Sequence, residues 1–297
     1  MDSIDFIGIG APKSGSTWLS KCLEEHPQIL LSSKKTRKEV LFFNTDDIWG
    51  EHKTNRLSCY NRGFEWYLQQ FPEPKVGYLR GEFSASYMAD PVAYERIKEH
   101  LPNVKLVAIL RNPVDMVYSS YWYFYHGTLL DVPESFSESL SKGMFIDKGF
   151  YYKHLKKFYD NFPADNIHVV IYDDTIKNPT SVTRDLYNFL GVDPSFIPPS
   201  IDKRINSAYE TKSKLLKDII HKCMVAIDRL ELENVRMRIL ESRTLFNIYS
   251  TINKRPSQYP KMSVDDRKKC VEIFMDDINS LEKLLNRDFS SWKSVES

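Results

Sequence analysis

The chain has no apolar run approaching the roughly 18 residues that a membrane-spanning helix needs. Its start, MDSIDFIGIG, has no basic segment ahead of an apolar one. Neither a secretory leader nor a membrane anchor is therefore expected. It also lacks any CxxC pair: the four cysteines, Cys22, Cys59, Cys223 and Cys270, are widely spaced and read as the reduced thiols of a cytoplasmic protein. No charge sign dominates, with 41 Lys and Arg against 40 Asp and Glu and a net charge of +1. Nothing in that balance draws the chain to nucleic acid or to a membrane surface, and neither is expected as a partner. No internal repeat is present.

What is present is enough for a core. The 297 residues are 42% hydrophobic, which allows one large α/β domain or two small ones. Strands are expected at 6–9, 28–31, 76–83, 105–110 and 167–172. Helices are expected from Ser14 through Leu23, then at 64–71, from Asp90-Pro91 to His100, 112–126, 149–161 and 178–190, the last stopped by Gly191. Further helices are expected at 213–240 and 242–252, with a final amphipathic one over 264–285 capped by Ser263. The stretches 44–61, 131–138, 192–211 and 253–262 read as loops. Strands alternating with helices predict an α/β protein with a parallel sheet flanked by helices, a three-layer sandwich in one domain over 1–297, with a helical C-terminal part from about 213.

The stretch 5–22, DFIGIGAPKSGSTWLSKC, reads as strand, glycine-bearing loop and helix. Such a loop gathers free backbone N–H groups and the positive end of a helix dipole at one point, which suits a phosphate or a sulfate. Gly10 and Gly15 have the spacing of the nucleoside-triphosphate loop G-x-x-x-x-G-K-[ST], and Thr17 takes the hydroxyl position. Ser16 stands where the lysine belongs, however, and Lys13 lies in mid-loop instead. The buried strand 105–110 ends in Arg111, not in an aspartate that could hold magnesium. A phosphate-binding loop without a metal partner suits a transferred group less charged than a phosphoryl, such as a sulfuryl. Ligands on parallel sheets bind at the carboxyl ends of strands. Lys13 and Arg111, distant in sequence, both fall just past a strand end.

APKSGSTWL resembles the 5′-phosphosulfate loop of sulfotransferases that use 3′-phosphoadenosine 5′-phosphosulfate (PAPS), and LRNPVDMVYSSY resembles their 3′-phosphate motif. KEVLFF, containing Glu39, is similar to the KE-x-x-FF segment of the glycosaminoglycan-type branch. The resemblance covers most of the chain and implies a P-loop-like fold, PAPS as cosubstrate, adenosine 3′,5′-bisphosphate as product and no metal. Golgi members of that family carry an anchor; the start at Met1 favours a soluble relative.

Lys13 is expected to bind the bridging and sulfuryl oxygens and neutralise the leaving phosphate, with Ser14, Gly15, Ser16, Thr17 and Trp18 forming the 5′-phosphate cradle. The bland reading is a strand–turn–helix with a surface lysine. Arg111 could fork onto the 3′-phosphate, and Ser119 shares its helical face through Asp115; alternatively Arg111 pairs with Asp115. An acceptor hydroxyl needs a base. Glu39, beside Val40, Leu41, Phe42 and Phe43, could be partly desolvated. Its charge pattern alone favours a salt bridge to Lys35, Arg37 or Lys38; the resemblance implies the base. Leu41 stands where glycosaminoglycan relatives often have histidine. Among the seven histidines, His126 is the best rival base.

GEFSASY resembles the family's segment after the third strand, with Phe83 for a lysine and Ala85 for a proline. Its Glu82 could assist the base, bind the acceptor, or pair with Arg80 or Lys13. On YSSYWYFYH, the stripe Val114, Val117, Tyr118, Tyr121 and Tyr125 reads as core, while Trp122, Tyr123 and His126 could wall an acceptor cleft. Lys203, Arg204, Asn206 and Ser207, and then Asn253, Lys254 and Arg255, sit in two late loops. The resemblance points to Lys254 and Arg255 as additions to the 3′-phosphate site.

The expected activity is sulfuryl transfer from PAPS to a hydroxyl or amine of a small-molecule or saccharide acceptor. A polyanionic glycan would want a broad basic groove, which the chain lacks, although Lys34, Lys35, Arg37 and Lys38 form a local basic cluster. The rivals are a nucleoside-triphosphate kinase or ATPase on the same loop, and a nucleotide-binding protein without catalysis.

Overall fold

The computed structural model describes residues 4–32, 39–45, 59–127, 132–203, 209–230, 254–256 and 259–295, with isolated positions between 232 and 251. Seven strands are described: β1 Phe6–Gly10, β2 Ile29–Leu31, β3 Leu79–Phe83, β4 Lys105–Leu110, β5 Ile167–Ile171, β6 Tyr209–Thr211 and β7 Lys254–Pro256. The described α-helices are α1 Ser16–Glu25, α2 Phe64–Leu68, α3 Ala93–His100, α4 Pro113–Gly127, α5 Phe136–Ser141, α6 Tyr151–Asn161, α7 Tyr172–Lys177, α8 Pro179–Leu190, α9 Lys214–Arg229 and α10 Val264–Leu285. None of them is long and apolar enough to cross a membrane.

The first five strands form one sheet in the order β2-β3-β1-β4-β5, and every pairing in it is parallel. Strand side chains alternate between faces, and β4 shows the consequence. Leu106, Ala108 and Leu110 join one hydrophobic cluster, together with Val114 and Tyr121 of α4, Phe158 of α6 and Phe274 of α10. Val107 and Ile109 join the other, with Trp18 and Leu19 of α1 and Leu186 and Tyr187 of α8. This is the expected three-layer α/β arrangement. After Lys105, the run of five apolar or small residues in β4, Leu106 to Leu110, is uninterrupted because both faces are covered.

The chain leaves β1 through α1 toward β2 on one side, while β4 pairs with β1 on the other. The loops after β1 and β4 therefore open beside each other, at the point where the winding reverses, which is where ligands bind on such sheets.

Several ends fall where local chemistry sets them. Gly191 closes α8 in the left-handed region at φ 85°, and Lys105 Nζ donates to the last carbonyls of that helix, at Phe189 (2.7 Å) and Leu190 (2.9 Å). Ser263 Oγ accepts from the Asp266 N–H at 3.1 Å and starts α10. Other ends shift. The third strand begins at Leu79 rather than Val76, because a turn closed by Tyr78 N–H to the Lys75 carbonyl precedes it. α2 ends at Leu68, and the described α9 ends at Arg229. α7 and the antiparallel pair β6–β7 occupy segments read as connections or irregular chain; three-residue strands carry too little periodicity to be recognised in sequence.

Candidate active site

The loop after β1 is fastened at its first residue: Ala11 N–H donates to the Ile109 carbonyl of β4 at 2.7 Å. Lys13 then adopts φ 57° and Gly15 φ 94°. A Cβ on Gly15 would stand 2.7 Å from the Tyr172 ring, so both the backbone angle and the space require glycine here. Ser14 is fully buried, and its hydroxyl donates to the Pro12 carbonyl at 3.3 Å. α1 begins at Ser16 with no acidic residue in its first turn. The first N–H groups of a helix have no acceptor within it, and this end favours an anion.

Arg111 emerges from β4, next to β1. Its guanidinium lies 5.1 Å from the centre of the Tyr172 ring, the same ring that packs on Gly15. Tyr172 thus touches the loops after both β1 and β4. Beneath them, the fully buried Tyr151 hydroxyl faces the Ser14 hydroxyl and the Arg111 main chain without completing a hydrogen bond to either. Asp115 is not the partner of Arg111: Arg267 of α10 takes it at 2.7 Å. Ser119, half-buried, follows one turn along the same helix.

The outer face of α4 reaches the loop. Lys13 Nζ sits 4.1 Å from the centre of the Tyr123 ring. Burial raises the Tyr123 phenol above its ordinary range, and the Glu39 carboxylate raises it further. Burial pushes the Lys148 ammonium down to about 8, opposed by Asp147 and by Glu39. Glu39, half-buried at a bend, is therefore close enough to act electrically on both groups. Lys13, Tyr123, Glu39 and Lys148 make one cluster at the mouth of the loop after β1. Nearby on α4, Trp122 is stacked between His126 (centroids 5.2 Å apart) and Tyr259 (5.8 Å).

Late segments pack against α4 as well. β7 pairs with β6 in the register Glu210↔Arg255 and Thr211↔Lys254, and β6 packs against α4. Lys254 and Arg255 thus lie on the strand beside β6, which packs against the helix that carries Ser119. Tyr118 Oη donates to the Pro260 carbonyl at 2.8 Å and ties the chain after β7 to the same helix.

Residues 3–226 match the model of the sulfotransferase domain family. The chain belongs to the sulfotransferase family. It is 30% identical over 211 residues to human bifunctional heparan sulfate N-deacetylase/N-sulfotransferase 3, which covers 64% of this chain and 22% of that protein. It is 26% identical over 294 residues to mouse bifunctional heparan sulfate N-deacetylase/N-sulfotransferase 1, covering 93% of this chain and 29% of that one. The chain thus spans under a third of the length of these curated relatives. A solved sulfotransferase from Alicyclobacillus acidocaldarius shares the fold, with a TM-score of 0.69 at 23% identity over 98% of this chain and 99% of that chain.

The remaining sequence candidates fall as follows. Trp18 is buried, and its indole N–H donates to the Ile201 carbonyl at 3.1 Å, so its side chain joins the post-α8 loop to the start of α1. Glu82 is 0% exposed, which removes it from direct contact with an acceptor. It pairs with neither Arg80 nor Lys13 in the hydrogen bonds described. Arg80 donates instead to the Pro72 carbonyl at 3.2 Å, and the Glu82 carboxylate accepts from Tyr67, Tyr87 and Ser84. Lys203 is exposed. Arg204, Asn206, Ser207 and Asn253, and the basic cluster Lys34, Lys35, Arg37 and Lys38, lie outside the described residues. Sequence reasoning missed Tyr172, Tyr151 and Lys148. Lys148 sits on a short turn with no motif around it, and Tyr151 and Tyr172 open helices far along the chain.

Proposed function

We propose that this chain moves the sulfuryl group of PAPS to a hydroxyl or amine of a small-molecule or saccharide acceptor and releases adenosine 3′,5′-bisphosphate. The carrying observation is the convergence of Lys13 and Arg111 at the carboxyl ends of adjacent parallel strands, with one aromatic ring, Tyr172, against both loops. Two cations and an acid-free helix start fit a nucleotide with phosphate at both ends.

PAPS supplies an activated sulfuryl group and a phosphate leaving group. Lys13 neutralises the charge that develops on that phosphate, while Ser14, Gly15, Ser16 and Thr17 offer main-chain and hydroxyl donors. Arg111 forks onto the 3′-phosphate with Ser119 on the same helix face; Lys254 and Arg255 add positive charge from β7. Glu39 takes the acceptor's proton as its oxygen or nitrogen attacks sulfur in line. Tyr123, Trp122 and His126 wall the acceptor side. No step calls on a metal. A cytoplasmic setting fits the four free thiols.

A kinase reading is not favoured, since Ser16 replaces the helix lysine and β4 ends in Arg111. The test is calorimetric titration with adenosine 3′,5′-bisphosphate and with magnesium-ATP, followed by labelled PAPS against an acceptor panel. Because the curated relatives are named as N-sulfotransferases, an amino sugar heads that panel. Tight binding of the bisphosphate and label transfer are expected. Binding of magnesium-ATP alone would refute the reading.

A further inference from the structure

We propose that Glu82 is a positioning residue for the base: with Ser84 and Tyr87 it forms a buried frame from which the segment carrying Glu39 is suspended. The inference rests on the reading of Glu39 as the base.

Glu82 lies near the end of β3, completely buried. One carboxylate oxygen accepts from Tyr67 Oη at 3.0 Å and Tyr87 Oη at 2.9 Å, and the other from Ser84 Oγ at 2.6 Å. The Val40 N–H also bonds to this carboxylate. The next N–H groups of the segment go to the same frame: Leu41 donates to Ser84 Oγ at 3.1 Å, and Phe43 to Tyr87 Oη at 3.5 Å.

The direction of these bonds follows from the carboxylate. Above about pH 7, where the carboxyl is ionised, it only accepts, and a hydroxyl has one proton and two lone pairs. Ser84 and Tyr87 must therefore spend their single protons on Glu82, which leaves their lone pairs facing Leu41 and Phe43. The segment needs such holding. Residues 39–43 make no sheet or helix ladder, and Leu41 sits at φ 57°, a region that non-glycine residues avoid. Buried ionisable groups are weak devices for stability alone. Here the buried acid fixes a main-chain path whose preceding residue, Glu39, is half-exposed at the cluster with Lys148 and Tyr123.

Replacing Glu82 by glutamine keeps the shape but puts an N–H₂, which only donates, in place of one accepting oxygen, so the hydroxyl facing it must turn its proton away and its lone pairs are shared between the new N–H₂ and the main-chain N–H. The experiment measures E82Q in the wild type and in an E39Q background. It follows label release from PAPS to water and transfer to glucosamine, affinity for adenosine 3′,5′-bisphosphate, and amide exchange at Val40, Leu41 and Phe43. Expected are a tenfold or greater fall in kcat for E82Q, bisphosphate affinity within twofold of wild type, faster exchange at the three amides, and less than a twofold further effect of E82Q once Glu39 is replaced. A full-sized loss in the E39Q background, or unchanged kcat and exchange in E82Q, overturns the proposal. Wild-type turnover in E39Q alone refutes the base assignment, and the positioning role with it. Should E82Q fail to fold, S84A and Y87F each remove one support, and the same coupling to Glu39 is expected, at severalfold size.

Discussion

Lys13 and Tyr123 meet face to face, the ammonium 4.1 Å from the ring centre, although one belongs to the loop after β1 and the other to the middle of α4. The ring holds the cation at the mouth of the loop. A contact of this kind contributes roughly 0.5–2 kcal/mol. Tyr123→Ala should therefore lower kcat severalfold with bisphosphate affinity nearly unchanged, whereas Tyr123→Phe, which keeps the ring face, should stay close to wild type. Lys13→Ala should be far more damaging, on the order of 100-fold or more in kcat. Equal effects of the two Tyr123 variants would show that the ring is not what matters.

Arg111→Ala should weaken binding of adenosine 3′,5′-bisphosphate by about 1.5–3 kcal/mol, the size of a lost charge-assisted hydrogen bond. Binding of adenosine 5′-phosphate, which lacks the second phosphate, should change little. Arg111→Lys should not restore affinity, since lysine lacks the planar fork that matches a phosphate. Calorimetry on both nucleotides decides; a parallel loss for the two would move Arg111 out of the 3′-phosphate site.

Gly15→Ala combines an unfavourable angle with a collision. Left-handed backbone costs a residue with a Cβ about 1–2 kcal/mol, and the new carbon would stand 2.7 Å from Tyr172. Displacing that ring also disturbs its contact with Arg111. Reduced melting temperature and weaker bisphosphate binding are both expected; a variant with normal binding would contradict the close packing of Tyr172 on this loop.

Stability should depend on pH through Glu82. Burial pushes its carboxyl up to about 7 from 4.5, against hydrogen bonds from Ser84, Tyr87 and Tyr67 and the Val40 N–H that pull it down. An acid whose folded value is raised contributes stability that is complete below 4.5 and lost as pH rises through about 7. The gap corresponds to on the order of 3 kcal/mol. Denaturant midpoints of the wild type should fall across that window, and those of Glu82→Gln should fall less. Identical slopes would exclude Glu82 as the source.

Burial disfavours the charge of Lys148 and pushes its ammonium down to about 8 from 10.5. Beside Glu39, that charge should matter to turnover, which is expected to decline above about pH 8 in the wild type. Lys148→Met should lower the plateau and remove this decline, and Lys148→Arg should shift it beyond the accessible range. A decline common to all three would assign it elsewhere.

What could be seen in the sequence was local. The apolar run of β4, the Asn178-Pro179 start and Gly191 stop of α8, and the Ser263 cap each state their structure within a few residues. Lys13 and Arg111 could be placed on one rim because strand ends in a parallel sheet share a side. The support for Glu39 was not readable, since its hydrogen bonds come from Glu82, Ser84 and Tyr87, more than forty residues on. Charge pattern around Glu82 suggested ion pairs with Arg80 or Lys13; burial selected neutral hydroxyl partners instead. Tyr123 was separable from the core stripe of α4 by helical phase, but its contact with Lys13 depends on how α4 lies across the sheet.

α10 does more than cover the sheet. Through Arg267 it grips Asp115 at the root of α4, and through Asp277 it accepts the first N–H groups of α6 at Tyr152 (2.9 Å) and Lys153 (3.0 Å). A shortened version ending at residue 226, where the family match stops, would leave two helices unclasped and a wide greasy face open to self-association. Anyone cutting this protein down for crystallisation should keep the tail.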